Sequence, residues 1–374
     1  SEQRHSMPAL SFFDRKVFSA PEKAGRERTV FTVLTERDVM MGRTLSKLKK
    51  TIDKASCAEG VGSVHVMTTC LPDLIGDNPT PFMGEAGKQG GTKIFWTSKT
   101  HNTAEVAEAL YRRGIDSVKF AGERDGRCVV LGGVLSPEEK EEFSGLLMEI
   151  FGLRVAGFML PEYDFGSYPE MGKAGSLIWV NPSSWTNVED SIFSDYFQIV
   201  RAGTPYGIEN TLNWLKGVRD RLSPETADAE IEEFYRRKFQ SGIGKIWSQC
   251  GGHAVALIGD ASDLEYLSTA NGFCGFSVYH VLLEMGFKVR RFVYGGAAAD
   301  MESFDTSDKL RDLIAGDIDA VFSSFSFDPR VNCAGKNTFS ENVFEPGFSG
   351  FVRSAEKILR LCRLAPFRRF RRFL

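Results

Sequence analysis

The chain alternates between short apolar runs and longer amphipathic stretches. Runs such as Val64–Thr69 and Arg154–Met159 predict buried β-strands. Between the runs, apolar residues return every three or four positions, as Leu45, Leu48 and Ile52 do, which predicts amphipathic helices. Strands that alternate with helices are joined by right-handed crossovers and form parallel sheets. The pattern therefore predicts an α/β protein.

The predicted elements group into three Rossmann-like domains with mainly parallel sheets around a central cleft. The other predicted strands are Val30–Leu34, Ile94–Thr97, Cys128–Leu131, Leu177–Val180, Ala254–Ile258, Lys288–Val293 and Ala320–Phe325. The other predicted helices are one that opens at Asn102 and stops before Gly114, Ser136–Gly152, Ile208–Val218, a charged connector at 222–240, Gly275–Met285, Ser307–Ala315 and Gly350–Leu361. The predicted domains span residues 1–118, 119–240 with the connector, and 241–340, and residues 341–374 form a helix and a basic, phenylalanine-rich tail.

Composition and charge exclude some classes of function for this chain. The 374 residues carry a net charge of −3 and are 42% hydrophobic, which is typical of a soluble globular protein. This charge implies no general attraction to nucleic acid. The sequence has neither an apolar run of the roughly 18 residues that cross a membrane nor a signal-peptide pattern. We therefore expect a cytoplasmic protein that binds neither membrane nor nucleic acid.

Common nucleotide and catalytic motifs are absent from the sequence. No segment matches G-x-x-x-x-G-K-[ST], no G-x-G-x-x-G follows a predicted strand, and no H-x-x-x-H is present. The G-x-S-x-G elbow is missing from every predicted strand–helix junction. If the protein uses ATP or NADH, we expect a partner to bind it.

Cys70 is the main candidate for chemistry. It follows the predicted strand Val64–Thr69, at the carboxyl end where open α/β sheets bind ligands. A thiolate at that place can bind iron. The alternative interpretation is a buried thiol at a strand end.

The sequence around Cys70 resembles a family motif. Thr68-Thr69-Cys70, with Ile75-Gly76-Asp77-Asn78 after it, is similar to the Thr-Thr-Cys…Ile-Gly-Asp-Asp motif of nitrogenase component 1 and its relatives, which include protochlorophyllide reductase and cofactor-assembly scaffolds. Thr204-Pro205-Tyr206-Gly207-Ile208 also resembles the family's second domain. The resemblance implies that Cys70 is a ligand of an iron–sulfur cluster at an interface between two subunits.

The other ligands of such a cluster are not evident. A cubane takes four thiolates, and Cys57 precedes the strand and is expected at the opposite end of the sheet. Residues 1–29 contain no cysteine to match the family's earlier ligand. Three explanations stay open: a missing native N-terminus, more ligands from the partner chain, or a lost cluster.

Nitrogenase itself also binds a large metal cofactor through a cysteine and a histidine. The segments that resemble those regions, Leu177–Asn181 and Glu345–Phe351, contain neither residue. The resemblance therefore implies a relative that does not bind that cofactor in the nitrogenase manner.

Three weaker candidates lie near other predicted strand ends or helix starts. Cys274 precedes a predicted helix, where a thiol pKa is lowered. Cys333 follows the strand Ala320–Phe325, and His101 follows Ile94–Thr97, where it could donate a proton. The alternatives are a thiol packed in a turn, a loop thiol and a surface histidine.

The resemblance implies a subunit of a nitrogenase-like oxidoreductase. Its expected partners are a homologous component 1 subunit, in a homo- or hetero-oligomer, and an ATP-hydrolysing iron–sulfur reductase that supplies electrons through the cluster. One alternative is a non-catalytic cofactor-assembly scaffold or structural partner subunit. A further alternative is an unrelated Rossmann-type binding protein. The substrate is not identified by the sequence.

Overall fold

The computed structural model describes Thr32, residues 35–57, the strands at 63–67 and 93–97, isolated positions between 108 and 120, and most of 123–364. The gaps in this last range are 134, 160–167, 181–185, 271–274, 297–300 and 324–327. The chain divides into two compact units. The described residues of the smaller unit fall within 18–117 and 185–195, and those of the larger unit within 118–184 and 196–374.

Strands and helices alternate through both units. The strands are β1 (Ser63–Met67), β2 (Lys93–Thr97), β3 (Asp125–Gly132), β4 (Arg154–Met159), β5 (Ala174–Trp179), β6 (Gln198–Arg201), β7 (Ala254–Gly259), β8 (Lys288–Tyr294), β9 (Glu302–Phe304), β10 (Ala320–Phe322) and β11 (Asn337–Phe339). The helices are α1 (Glu36–Met40), α2 (Thr44–Ser56), α3 (Pro137–Phe151), α4 (Tyr168–Met171), α5 (Thr186–Phe193), α6 (Ile208–Leu222), α7 (Asp228–Lys238), α8 (Gln240–Cys250), α9 (Ala261–Ser268), α10 (Val278–Glu284), α11 (Ser307–Ala315), α12 (Pro329–Cys333) and α13 (Phe348–Arg363). Glu341–Val343 forms a short 3-10 helix.

The smaller unit contains a parallel pair of strands, β1 and β2. Their register aligns Ser63 with Lys93 and Met67 with Thr97, so the two strands begin and end together. Helix α1 starts at a capping box in which Thr35 and Asp38 bind each other's backbone N–H. Of the predicted strand Val30–Leu34, the structure describes only Thr32, which is not in a strand, and the other four positions lie outside the described residues.

The first sheet of the larger unit has the strand order β4-β3-β5-β6, with every pair parallel. Its core forms because Val129 and Leu131 of β3 pack with Phe143 of α3 and Trp214 of α6. The Phe143 and Trp214 rings meet edge to face, with centroids 5.1 Å apart. The chain runs from β3 outward to β4 and then back to β5, so the strand order switches between β3 and β5.

The second sheet of the larger unit has the order β11-β10-β7-β8-β9 and is also parallel. Val255 and Leu257 of β7 pack with Phe322 of β10 and with Phe351 and Ile358 of α13. Its order switches between β7 and β10. The described part of the chain thus holds three parallel sheets, and the predicted α/β class is confirmed.

Most predicted elements are present, with some changes at their ends. Helix α10 begins at Val278, three residues later than predicted, and β10 ends at Phe322, since Ser323 is no longer in a strand. The predicted connector at 222–240 contains α7, which also buries Ile231 and Phe234 in the core. The predicted domain boundaries remain predictions. No helix in the described residues is both long and apolar enough to cross a membrane.

Candidate functional site

The carboxyl ends of β1 and β2 lie at one edge of their sheet. Met67 and Thr97 are register partners in parallel strands, so the chain leaves both strands on the same side. Cys70 comes three residues after Met67, and His101 comes four residues after Thr97. Open parallel sheets bind their ligands at this edge. Cys70 and His101 themselves lie outside the described residues, so their roles stay predictions.

Cys57 lies on the other side of β1 along the chain. It is the exposed C-cap residue of α2, and β1 begins only after it, at Ser63. Cys57 therefore precedes the amino end of β1 in the chain, whereas Cys70 follows the carboxyl end. The expectation that the two thiols lie at opposite ends of the sheet stays a prediction, because Cys70 lies outside the described residues.

Three of the described thiols, two of them fully buried and one partly buried, have raised pKa values. Cys128 in β3 is fully buried, and burial raises the pKa of its thiol. Burial also raises the pKa of Cys250 to about 11 and that of Cys362 to about 12. Iron is bound by the thiolate form. Burial therefore disfavours the thiolate form at these three residues.

Cys333 is exposed and ends α12, on the chain segment that follows β10. The start of this helix is fixed by buried Asp328, which accepts a hydrogen bond from the Arg330 backbone amide at 3.1 Å. The same carboxylate accepts from Arg330 Nε at 3.0 Å and Arg330 Nη2 at 2.8 Å. Burial works to raise the pKa of Asp328, but the hydrogen bonds and charge of Arg330 outweigh it and lower that pKa.

In the described residues, no three His, Cys, Asp or Glu side chains come together as a metal site. Cys274 lies outside the described residues.

A buried tryptophan, Trp179, is the last residue of β5. Trp179 is 3% exposed and packs on Gly132 of β3, where an added Cβ would lie 2.6 Å from the ring. The Trp179 carbonyl accepts a hydrogen bond from Trp214 Nε1 at 3.1 Å, and the Arg201 guanidinium lies 5.4 Å from the Trp179 ring centroid. The segment that resembles the family's cofactor-cysteine region therefore carries the Trp179 indole, and the Arg201 guanidinium of β6 lies against that ring.

The segment Glu345–Phe351 forms the turn into α13. Glu345 accepts a hydrogen bond from Arg353 Nε at 2.5 Å and another from Lys357. Burial acts to raise the pKa of Glu345, but its partners Lys357 and Arg353 outweigh burial and lower it. Phe348 and Phe351 are buried in the core. This segment therefore holds the fold together through ion pairs and apolar packing.

Sequence reasoning missed two glutamates that bind the starts of distant helices. Glu284 binds the first amides of α6, and Glu142 binds an amide of the first turn of α13. The available signal was a glycine, Gly207 or Gly347, at a helix start that has no side chain able to cap it. Such a helix start needs an acceptor from elsewhere.

The fold and the position of Cys70 in the sequence define a class: parallel α/β proteins with a thiol just beyond the carboxyl end of a strand. The chain belongs to the family described as nitrogenase component 1 type oxidoreductases, whose model matches residues 7–323.

Curated relatives and solved structures agree with this family. The chain is 25% identical over 276 residues to the nitrogenase iron-molybdenum cofactor biosynthesis protein NifE of Mesorhizobium japonicum, covering 70% of this chain and 53% of that protein. It is 23% identical over 308 residues to NifE of Sinorhizobium fredii, covering 80% and 60%. The chain thus spans a little over half the length of these relatives. The structure titled "Nitrogenase Cp1 at pH 6.5" matches with a TM-score of 0.60 and 14% identity over 88% of this chain and 77% of that chain, which supports the fold.

Proposed function

We propose that the chain is a subunit of a nitrogenase-like reductase and that Cys70 supplies a thiolate to an iron–sulfur cluster shared with a partner chain. Electrons would come from a separate ATP-hydrolysing iron–sulfur reductase. The observation that carries the proposal is the common carboxyl edge of β1 and β2, which the Cys70 segment follows directly. Family membership adds to it.

The described thiols support a shared site. Cys128, Cys250 and Cys362 are buried or partly buried, which raises their pKa values, and Cys57 lies at the amino side of β1. A cubane takes four thiolates, so we propose that the partner, a homologous component 1 subunit, supplies the others. Cys274 and Cys333 remain weaker candidate ligands, and His101 a candidate proton donor.

The test compares Cys70→Ser with Cys57→Ser, an exposed thiol close to it in sequence. Both variants are purified without oxygen together with the co-expressed homologous subunit, and visible absorption and electron paramagnetic resonance are recorded before and after dithionite. We expect the cluster signals to be lost or altered in Cys70→Ser and retained in Cys57→Ser. A Cys70→Ser protein with wild-type spectra would overturn the proposal.

A second candidate function is cofactor assembly, and the printed names of the NifE relatives favour it. As a scaffold, the chain would hold a metal–sulfur precursor and pass it on. One experiment distinguishes the two functions. Protein that carries ⁵⁷Fe is mixed in one arm with reduced iron–sulfur reductase and ATP, and in the other arm with a cofactor-free component 1 acceptor. Electron transfer that needs ATP while iron stays bound supports the reductase. Iron that moves to the acceptor without ATP-dependent electron transfer supports the scaffold.

A further inference from the structure

Helix α6 receives its N-terminal cap from a residue of α10. Its N-cap residue Gly207 has a φ of 92° and carries no side chain that could bind the first amides. Glu284 takes that role, because its Oε2 accepts from the Ile208 amide at 2.9 Å and its Oε1 from the Glu209 amide at 2.8 Å. A Cβ on residue 207 would lie 2.4 Å from Glu284 Oε2, so glycine also makes room for this carboxylate.

Helix α13 is capped in the same way from α3. Its N-cap residue Gly347 has a φ of 87° and likewise provides no side-chain cap. The Ser349 amide donates to Glu142 Oε1 at 2.8 Å, and a Cβ on residue 347 would lie 2.7 Å from that oxygen. The Glu142 side chain is 7% exposed, so water does not replace this acceptor easily.

Each of the two capped helices contacts the cores of both sheets of the larger unit. The start of the helix contacts one core and its body contacts the other, and the order is reversed between the two helices. Helix α6 packs Trp214 and Leu215 into the core of the four-stranded sheet, but Tyr206, just before the helix, packs into the core of the five-stranded sheet. Helix α13 packs Phe351 into the five-stranded core, but its first residue, Phe348, packs into the four-stranded core. Each helix therefore begins at the core of the other sheet.

A direct hydrogen bond joins the two helix starts. The Gly347 amide donates to the Pro205 carbonyl at 2.8 Å, and Thr211 Oγ1 donates to the same carbonyl at 3.1 Å. Pro205 lies two residues before the N-cap of α6, and Gly347 is the N-cap of α13. A single backbone hydrogen bond therefore joins the segments that carry the two caps.

We propose that Glu142 and Glu284 form a reciprocal latch, in which each sheet's helices cap the helix of the other sheet and both caps open together. Opening of one cap leaves the first amides of that helix without their carboxylate acceptor and displaces the segment that carries the Pro205–Gly347 hydrogen bond. The second helix start then loses its alignment with its own carboxylate. The two sheets consequently separate in one step.

Amide hydrogen exchange followed by NMR tests the latch, because single amides report each cap. Ser349 reports the Glu142 cap, and Ile208 and Glu209 report the Glu284 cap. In Glu284→Ala we expect exchange at Ser349, on the other helix, to accelerate by about fivefold or more, the change that corresponds to the loss of one helix cap. In Glu142→Ala we expect the same at Ile208 and Glu209.

Asp260→Ala is the matched control, because Asp260 is also a capping carboxylate but binds an amide of its own helix, that of Asp263 at 2.8 Å. We expect its effect to stay within α9. If each glutamate variant changes only its own cap, the latch is wrong. If a variant fails to fold, the wild-type protein decides the question under native conditions with low concentrations of urea. There the latch requires Ser349, Ile208 and Glu209 to share one opening free energy and one urea dependence, and separate values would contradict it.

Discussion

Burial distinguishes the described thiols of this chain from one another. Cys57 and Cys333 are exposed, whereas Cys128 and Cys250 are fully buried. The sequence identified Cys70 because a motif surrounds it, but it could not separate the exposed from the buried cysteines. Cys250, for example, ends a helix whose apolar face becomes clear only once α8 packs on α13.

We expect alkylation to distinguish these thiols. With iodoacetamide at about pH 8, near the ordinary pKa of a cysteine, Cys57 and Cys333 should react within the native state. Cys128 and Cys250 should react only after denaturation, because burial excludes the reagent and raises their pKa values. Peptide mass spectrometry over time measures each rate, and native labelling of Cys250 as fast as that of Cys333 would contradict the burial described here.

The pH dependence of stability should reveal Glu284. Burial raises the pKa of Glu284, and the neighbouring Glu209 adds to this, although the two capping amides act against it. The folded state therefore binds this proton more tightly than the unfolded state does, so the contribution of Glu284 to stability falls as the pH rises through the raised pKa. Burial and Glu284 both raise the pKa of the nearby Tyr235 hydroxyl, so Tyr235 does not titrate at the acidic to neutral pH values at which Glu284 does.

The comparison protein is Glu284→Gln. We expect the wild type to gain free energy of unfolding relative to this variant as the pH falls from about 7.5 towards the ordinary glutamate pKa near 4.3. Urea titrations at several pH values measure the difference. A difference that stays constant, or that moves against the wild type on acidification, would contradict the raised pKa.

At the scale of elements, local signals were sufficient for α3 and insufficient for α6 and α13. Ser136, Pro137 and Glu139 at one end of α3 and Gly152 at the other predict its bounds, and the structure confirms them. The caps of α6 and α13 come from residues 76 and 207 positions away in sequence, so no local pattern could reveal them. Strands β6, β9 and β11 were missed because three or four residues are too few for a periodic pattern.

Two glycines of α3 should respond in opposite ways to alanine. Gly152 caps the helix with a φ of 65°, a conformation that alanine adopts only with strain, so Gly152→Ala should lower the free energy of unfolding by about 1 kcal/mol. Gly145 lies within the helix and has open space around its Cα, so Gly145→Ala should raise it by roughly 0.5–1 kcal/mol. Urea unfolding of both variants measures the two changes, and equal signs would contradict the assigned helix end.

At the scale of the whole molecule, the α/β class and the family could be predicted from sequence. Alternating strands and helices imply parallel sheets, and the segment around Cys70 carries a motif specific enough to indicate the family. The strand orders could not be predicted, since parallel pairing joins segments far apart in sequence. The β7–β10 pair, for instance, joins residues more than sixty positions apart.

The central claim is that Cys70 binds iron, and the content of iron and acid-labile sulfide per chain tests it most directly. The chain is purified without oxygen, alone and with its homologous partner, as wild type, Cys70→Ser and Cys333→Ser. We predict iron and sulfide in near-equal amounts in the wild-type complex and in Cys333→Ser, and a clear loss of both in Cys70→Ser. Wild-type amounts of iron and sulfide in Cys70→Ser, or none in any complex, would contradict the claim.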